Sequence, residues 1–162
     1  MPAPRRKQEK ALKVDRPIAL VGMMGAGKTT VGRRLAAALS LPFHDADAEI
    51  EQAAGMSVSD LFARHGEESF RRGEAQVIER LLSGPPIVLA TGGGAILDPA
   101  NRQYLRERGF VVYLSATVSQ QLNRLARDAK RPLLRAPDRR ERLEAMAIVR
   151  NPLYAEIADA SF

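Results

Sequence analysis

The chain has 162 residues, 45% of them hydrophobic and 27% charged, a size and balance that suit one globular domain and leave no need for a second. With no Cys and no Trp, a disulfide framework, a Cys-based zinc site and a cysteine nucleophile are excluded, and a thiol-free fold reads most simply as cytoplasmic. The net charge of +6 suits a nucleic-acid partner, and equally a nucleotide phosphate with a carboxylate ligand, although few aromatics are interleaved with the Arg residues as stacking platforms.

Residues 1–15 are basic, lack the apolar segment of a secretory signal, and read as a disordered leader. Ile18-Ala19-Leu20-Val21 is a short apolar run ending at Gly22, and Val31, Leu35, Ala38 and Leu39 have helical spacing after Lys28. The order here is strand, glycine loop, helix. Leu41 to His44 predicts a second strand. The stretch from about Asp45 to Pro86 holds more than one crossover helix, with breaks near Gly55-Met56-Ser57 and His65-Gly66. Within it, Phe70, Val77, Ile78, Leu81 and Leu82 form an apolar stripe on a helix from Glu67.

Ile87 to Ala90 and Phe110 to Leu114 are the third and fourth predicted strands. Asp98-Pro99 places a capping side chain and a first-turn proline at the start of a helix running to about Arg108. An irregular region, about 127–138, carries Pro132, Pro137 and several Arg, and reads as a lid over an anion. Near-continuous apolar strands alternating with helices predict a parallel α/β sheet with right-handed crossovers. The longest apolar runs fall far short of the ~20 residues that span a bilayer, so no membrane partner is expected.

Gly22-Met23-Met24-Gly25-Ala26-Gly27-Lys28-Thr29 fits the pattern Gly-x-x-x-x-Gly-Lys-Ser/Thr. Its backbone amides wrap phosphates at a helix N-terminus, Lys28 reaches the β/γ oxygens, and Thr29 ligates Mg²⁺. A P-loop names only a superfamily. No Asn-Lys-x-Asp occurs, which counts against a guanine-specific GTPase, and the third strand runs into Thr91-Gly92-Gly93-Gly94 with no acid. The acids follow the second strand as Asp45-Ala46-Asp47, where a parallel strand opens onto the ligand crevice. One could assist the metal while the other holds an acceptor hydroxyl; from spacing alone, Asp47 serves equally well as the cap of a helix beginning near Ala48.

By the same local reasoning Arg71 is a helix-surface residue paired with Glu67 or Glu74. Arg150, before Asn151-Pro152, is a cation at a helix C-terminus, and Gly92 to Gly94 is a strand-to-helix loop. His44 and His65 lack a second ligand at useful spacing and read as structural, while Met23 and Met24 read as packing.

Several segments, in order, resemble the shikimate kinase family from about Pro17 to Ala158. They are Gly22 to Thr30, Leu41 to Asp47 with Ile50-Glu51, Phe70-Arg71-Arg72-Gly73-Glu74, Gly92-Gly93-Gly94, Arg131-Pro132-Leu133-Leu134 and Arg150-Asn151-Pro152-Leu153-Tyr154. The resemblance implies a three-layer α/β/α sandwich of the nucleoside monophosphate kinase-like P-loop type, its five parallel strands in the order 2-3-1-4-5. It implies one domain over 16–162, with an acceptor-binding subdomain at about 46–74 and the lid at 127–138. The implied reaction is Mg²⁺- and ATP-dependent phosphorylation of the shikimate 3-hydroxyl, in aromatic amino-acid biosynthesis, by a monomer with no nucleic-acid partner.

The same resemblance implies that Gly25, Ala26, Gly27, Lys28, Thr29 and Thr30 hold ATP. Arg124 would pack on adenine and Arg131 would reach the transferring phosphate. Asp45 would act on Mg²⁺ through water beside Thr29, and Asp47 would orient or deprotonate the attacking hydroxyl, so that Asp47, Lys28 and Arg131 carry the catalysis. Arg71 and Arg150 would clamp the shikimate carboxylate, as paired guanidinium bonds suit a planar anion. Gly92, Gly93 and Gly94 would approach the acceptor ring by their backbone.

Two departures stand out. Ala46 replaces the family's Thr, and family members continue past the Ala158 region into a fifth strand, an adenine-side loop and a final helix. The last strand and the adenine pocket are therefore expected to be incomplete. Rival readings are a related kinase acting on gluconate or a nucleoside monophosphate, a basic nucleic-acid-binding ATPase, and a silent ligand-binding module.

Overall fold

The computed structural model describes residues 14–126 and 138–162. Most of the expected leader and lid, Arg131 included, therefore lies outside the described residues.

Five strands form one parallel sheet in the order β2-β3-β1-β4-β5. They are β1 (Ile18–Val21), β2 (Phe43–Asp45), β3 (Val88–Ala90), β4 (Phe110–Tyr113) and β5 (Ala160–Ser161). The central strand β1 is apolar throughout because both its faces are covered. With side chains alternating between faces, Ile18 and Leu20 join Ala36, Leu35 and Leu39 of α1 (Lys28–Leu39) and Phe43. Ala19 and Val21 join the opposite layer. That layer draws Ile78 and Leu81 from α3 (Val58–Leu82), Leu105 from α4 (Pro99–Arg108), and Leu143 and Tyr154 from α6 (Arg139–Ile157). The three layers expected are present, one face covered by α1 and the other by α3, α4 and α6.

The predicted breaks appear where backbone chemistry demands them. Gly55, at φ 68°, ends α2 (Ala46–Ala54), and the Ser57 hydroxyl accepts from Asp60 N at 3.1 Å to start α3. Gly66, at φ 80° and ψ 170°, divides α3 into helical stretches over 58–65 and 67–82. Asp98 caps α4 by accepting from Ala100 N at 2.8 Å. Strand β2 starts later than expected, because the Leu41 amide donates to Ala36 O at 2.9 Å and closes α1 instead.

One expectation is corrected. A helix end was expected at Arg150, but α6 runs through Pro152 to Ile157. The proline removes one amide whose partner would be the carbonyl of Ile148, an exposed residue that water can serve, while buried Leu143, Tyr154 and Ile157 hold the helix on either side. The fifth strand, whose completeness was in question, is present as the edge of the sheet. Ala160 and Ser161 pair with Val112 and Tyr113, and the pairing is extended by Asp159 N to Val111 O at 2.8 Å and Phe162 N to Tyr113 O at 2.9 Å. The outer edge of β4 carries amides and carbonyls that need partners, and the residues after α6 supply them. Among the described residues no helix is long and apolar enough to cross a membrane.

Candidate active site

The phosphate side of the site is built where β1 meets α1. Gly25 (φ 75°) and Gly27 (φ 95°) adopt the left-handed backbone that a side chain would strain. Gly27 stands at the N-cap of α1 with no side-chain cap, so the first helical amides keep their capacity for an anion. Lys28 Nζ folds back onto the loop, donating to Gly22 O at 2.6 Å and Met23 O at 2.9 Å. From α5 (Val118–Leu125), Gln121 Nε2 donates to Met24 O and Arg124 Nη1 to Gly25 O, both at 3.0 Å, so this helix buttresses the loop. A cavity of about 480 Å³ is lined by Gly25 to Thr30 together with Arg124. All the predicted nucleotide residues among the described ones are thereby brought together.

Beside it, Thr29 Oγ1 donates to Asp45 Oδ2 at 3.2 Å. The other Asp45 oxygen accepts from Asp47 N at 2.9 Å and Ala48 N at 3.2 Å, so Asp45 is the N-cap of α2. The capping role considered for Asp47 thus belongs to Asp45, because α2 starts two residues earlier than its spacing suggested. A hydroxyl and a carboxylate oxygen next to a phosphate-binding helix end are the hard donors that suit Mg²⁺, which takes few protein ligands and keeps phosphate oxygens and water.

The acceptor side is organised by three glycines after β3. None has the left-handed φ; what they provide is space. A Cβ at Gly92 would lie 3.0 Å from Glu74 Oε2 and 3.1 Å from Asp47 Oδ1. One at Gly93 would lie 3.4 Å from Met24 N and 3.6 Å from Arg150 Nη1, and one at Gly94 only 2.7 Å from Arg71 Cζ. Three successive residues each abut one of the side chains singled out from the sequence, and Gly93 abuts the phosphate loop as well. These contacts unite residues from α2, α3, α6 and the P-loop.

The charges show how Arg71 and Arg150 are held. Arg71 pairs with Glu74 at 2.8 Å and with Glu67 at 3.6 Å, so the surface pairing read from helical spacing and the approach to Gly94 occur together. Burial pushes the Arg150 guanidinium below its ordinary value; nearby Tyr154 opposes that shift, and the like charge of Arg71 adds to it. Two cations drawn together in a partly desolvated place favour an anion between them.

From the sequence Glu74 is only an ion-pair partner for Arg71, and its burial was not foreseen. It is 1% exposed, its Oε2 has no hydrogen-bond partner, and burial raises its carboxyl above the usual range against the pull of Arg71, with Asp47 adding to the rise. The signal was legible: an acid sits in the apolar stripe between Phe70 and Val77. Buried Gln121 and Tyr154 were missed too, since their partners lie 97 and 61 residues away along the chain. His44 is structural as read, bonded at 2.7 Å to Glu49, which pairs with Arg80 at 2.9 Å. These two partners, His44 first, lower the Glu49 carboxyl.

A family model described as shikimate kinase matches residues 24–162. Among curated relatives, a shikimate kinase of Shewanella frigidimarina is 56% identical over 144 residues, 89% of this chain and 84% of the relative. One of Thioalkalivibrio sulfidiphilus is 53% identical over 142 residues, 88% of this chain and 75% of the relative. Among solved structures, shikimate kinase from Acinetobacter baumannii in complex with shikimate superimposes with a TM-score of 0.90 at 46% identity, covering 94% of this chain and 86% of that one.

Proposed function

Because this chain belongs to the shikimate kinase family, we propose that it transfers the γ-phosphoryl group of ATP, with Mg²⁺, to the 3-hydroxyl of shikimate. The observation that carries this reading is the glycine turn, whose residues abut Asp47, Arg150 and Arg71 in succession while Gly93 also touches the P-loop. An acceptor lying on that turn has a carboxylate for a hydroxyl, two guanidiniums for an acid group, and a phosphate cradle alongside.

Each residue then acts by position. The α1 amides and Lys28 hold the β- and γ-phosphates, and Arg124, over the P-loop cavity, packs on the adenine side. Thr29, with Asp45 acting through water, would hold Mg²⁺, which would supply charge neutralisation at the phosphate oxygens. Arg71 and Arg150 grip the shikimate carboxylate with directional, charge-assisted bonds. Asp47 aligns the attacking hydroxyl and takes its proton. In loose phosphoryl transfer, alignment and charge stabilisation supply most of the catalysis. Residues 46–74 serve as the acceptor subdomain. Arg131 reaches the transferring phosphate by the family resemblance, and 127–138 serves as the lid by that resemblance and by its Pro and Arg content.

The test is ADP release with shikimate, gluconate or AMP as acceptor and with none. Release that depends on shikimate is expected; inactivity with shikimate but turnover of another acceptor rejects the assignment.

A further inference from the structure

Tyr154 stands one helical turn after Arg150 on α6 and is 1% exposed. Its hydroxyl donates to the Gly93 carbonyl and lies 3.8 Å from Met23 Sδ. Arg150 Nη1 would stand 3.6 Å from a Cβ added at Gly93, and the Tyr154 ring packs on Tyr113 with centroids 5.3 Å apart. One phenol therefore touches the acceptor turn and the start of the P-loop.

Filling the core does not require this hydroxyl, since Phe has the same ring. A buried hydroxyl is tolerated only when partnered, and here its acceptor is the middle residue of the glycine turn. That turn has no side chains of its own to lock it, and glycine backbones are the freest in a chain. A peptide unit is planar and trans, so holding the Gly93 carbonyl also fixes the Gly94 N–H on the opposite side. Burial pushes the Tyr154 phenol well above its ordinary value, so it stays a donor at any working pH.

We propose that Tyr154 is a positioning residue for the acceptor, its hydroxyl holding the Gly92 to Gly94 turn, against which Arg150 lies, in register with the P-loop. The proposal rests on the acceptor site described under the proposed function. It differs from a packing role in what it affects, namely the acceptor rather than the nucleotide or the fold.

Tyr154→Phe keeps the ring and removes the donor. In the full chain, kcat/KM for shikimate is expected to fall about tenfold, as for the loss of one buried hydrogen bond, with KM for ATP within about twofold. Shikimate binding measured by calorimetry without ATP weakens in parallel, and Tm drops by only a few degrees (about the shift of one lost bond). Unchanged shikimate parameters beside an active wild type overturn this proposal alone. Equal losses for both substrates that track Tm show packing only and overturn it too. A wild type that neither binds nor phosphorylates shikimate overturns the proposed function, and this inference with it.

Discussion

Gly94→Ala displaces a side chain rather than the backbone. The added Cβ would stand 2.7 Å from Arg71 Cζ, whereas carbon atoms settle at about 3.5–4.0 Å. The guanidinium must retreat by about 1 Å, away from the turn. Gly94 has φ −90° and ψ −3°, a conformation alanine accepts, and the atoms it meets are the end of a flexible chain that is 25% exposed. The fold should lose no more than about 1 kcal/mol, the usual size of a small local rearrangement. The site loses more. A hydrogen bond to a charged group contributes roughly 1.5–3 kcal/mol, so losing one of the Arg71 bonds to the acceptor carboxylate raises KM for shikimate by roughly 10- to 150-fold. The assay is coupled ADP release with shikimate titrated at saturating ATP, beside a thermal melt. An unchanged shikimate KM in Gly94→Ala, or a melt that collapses while both substrates suffer equally, refutes the reasoning.

Asp47→Asn should lower kcat by roughly 10²- to 10⁴-fold, the range for losing a general base, while calorimetric ATP binding is preserved; near-normal turnover removes Asp47 from catalysis. Asp45 carries two roles that two variants separate. Asp45→Asn keeps a capping oxygen for the amides of Asp47 and Ala48 and should melt near the wild type yet need more Mg²⁺, whereas Asp45→Ala should also lose about 1 kcal/mol in denaturant titration. Identical Mg²⁺ titrations for Asp45→Asn and wild type would take Asp45 out of the metal site. For Glu74, burial raises the folded carboxyl above its reference of 4.5, so the native state holds its proton more tightly than the unfolded chain. Its favourable contribution is complete below 4.5 and disappears as pH rises through the folded value. Melts of Glu74→Gln and wild type from about pH 4 to about pH 8 should therefore diverge in favour of the variant as pH rises; a constant difference contradicts it.

The elements with strong local signals were legible beforehand. β1, the P-loop and α1 follow from an apolar run, glycines at fixed offsets and helical spacing, and Gly55, Ser57, Gly66 and Asp98 mark helix ends by their own backbone chemistry. Where local signals competed, spacing misled: Leu41 closes α1 although it looks like a strand residue, and Pro152 stays inside α6 because tertiary packing outweighs one missing amide.

Chain order and residue chemistry alone thus determine the alternation of apolar strands with helices and the phosphate loop, since these depend on periodicity and glycine spacing; the strand order and the choice of Asp47, Arg71 and Arg150 for an acceptor are implied by the family resemblance. Which of those residues converge is decided only when α2, α3 and α6 close around the turn after β3, bringing Asp47, Arg71 and Arg150 against three successive glycines. The reach of Tyr154 to Gly93 likewise arises from packing between distant segments, whereas the burial of Glu74 was legible in the apolar stripe it shares with Phe70 and Val77. Solvent exclusion and proximity are properties of the folded chain, and no spacing along the sequence encodes them.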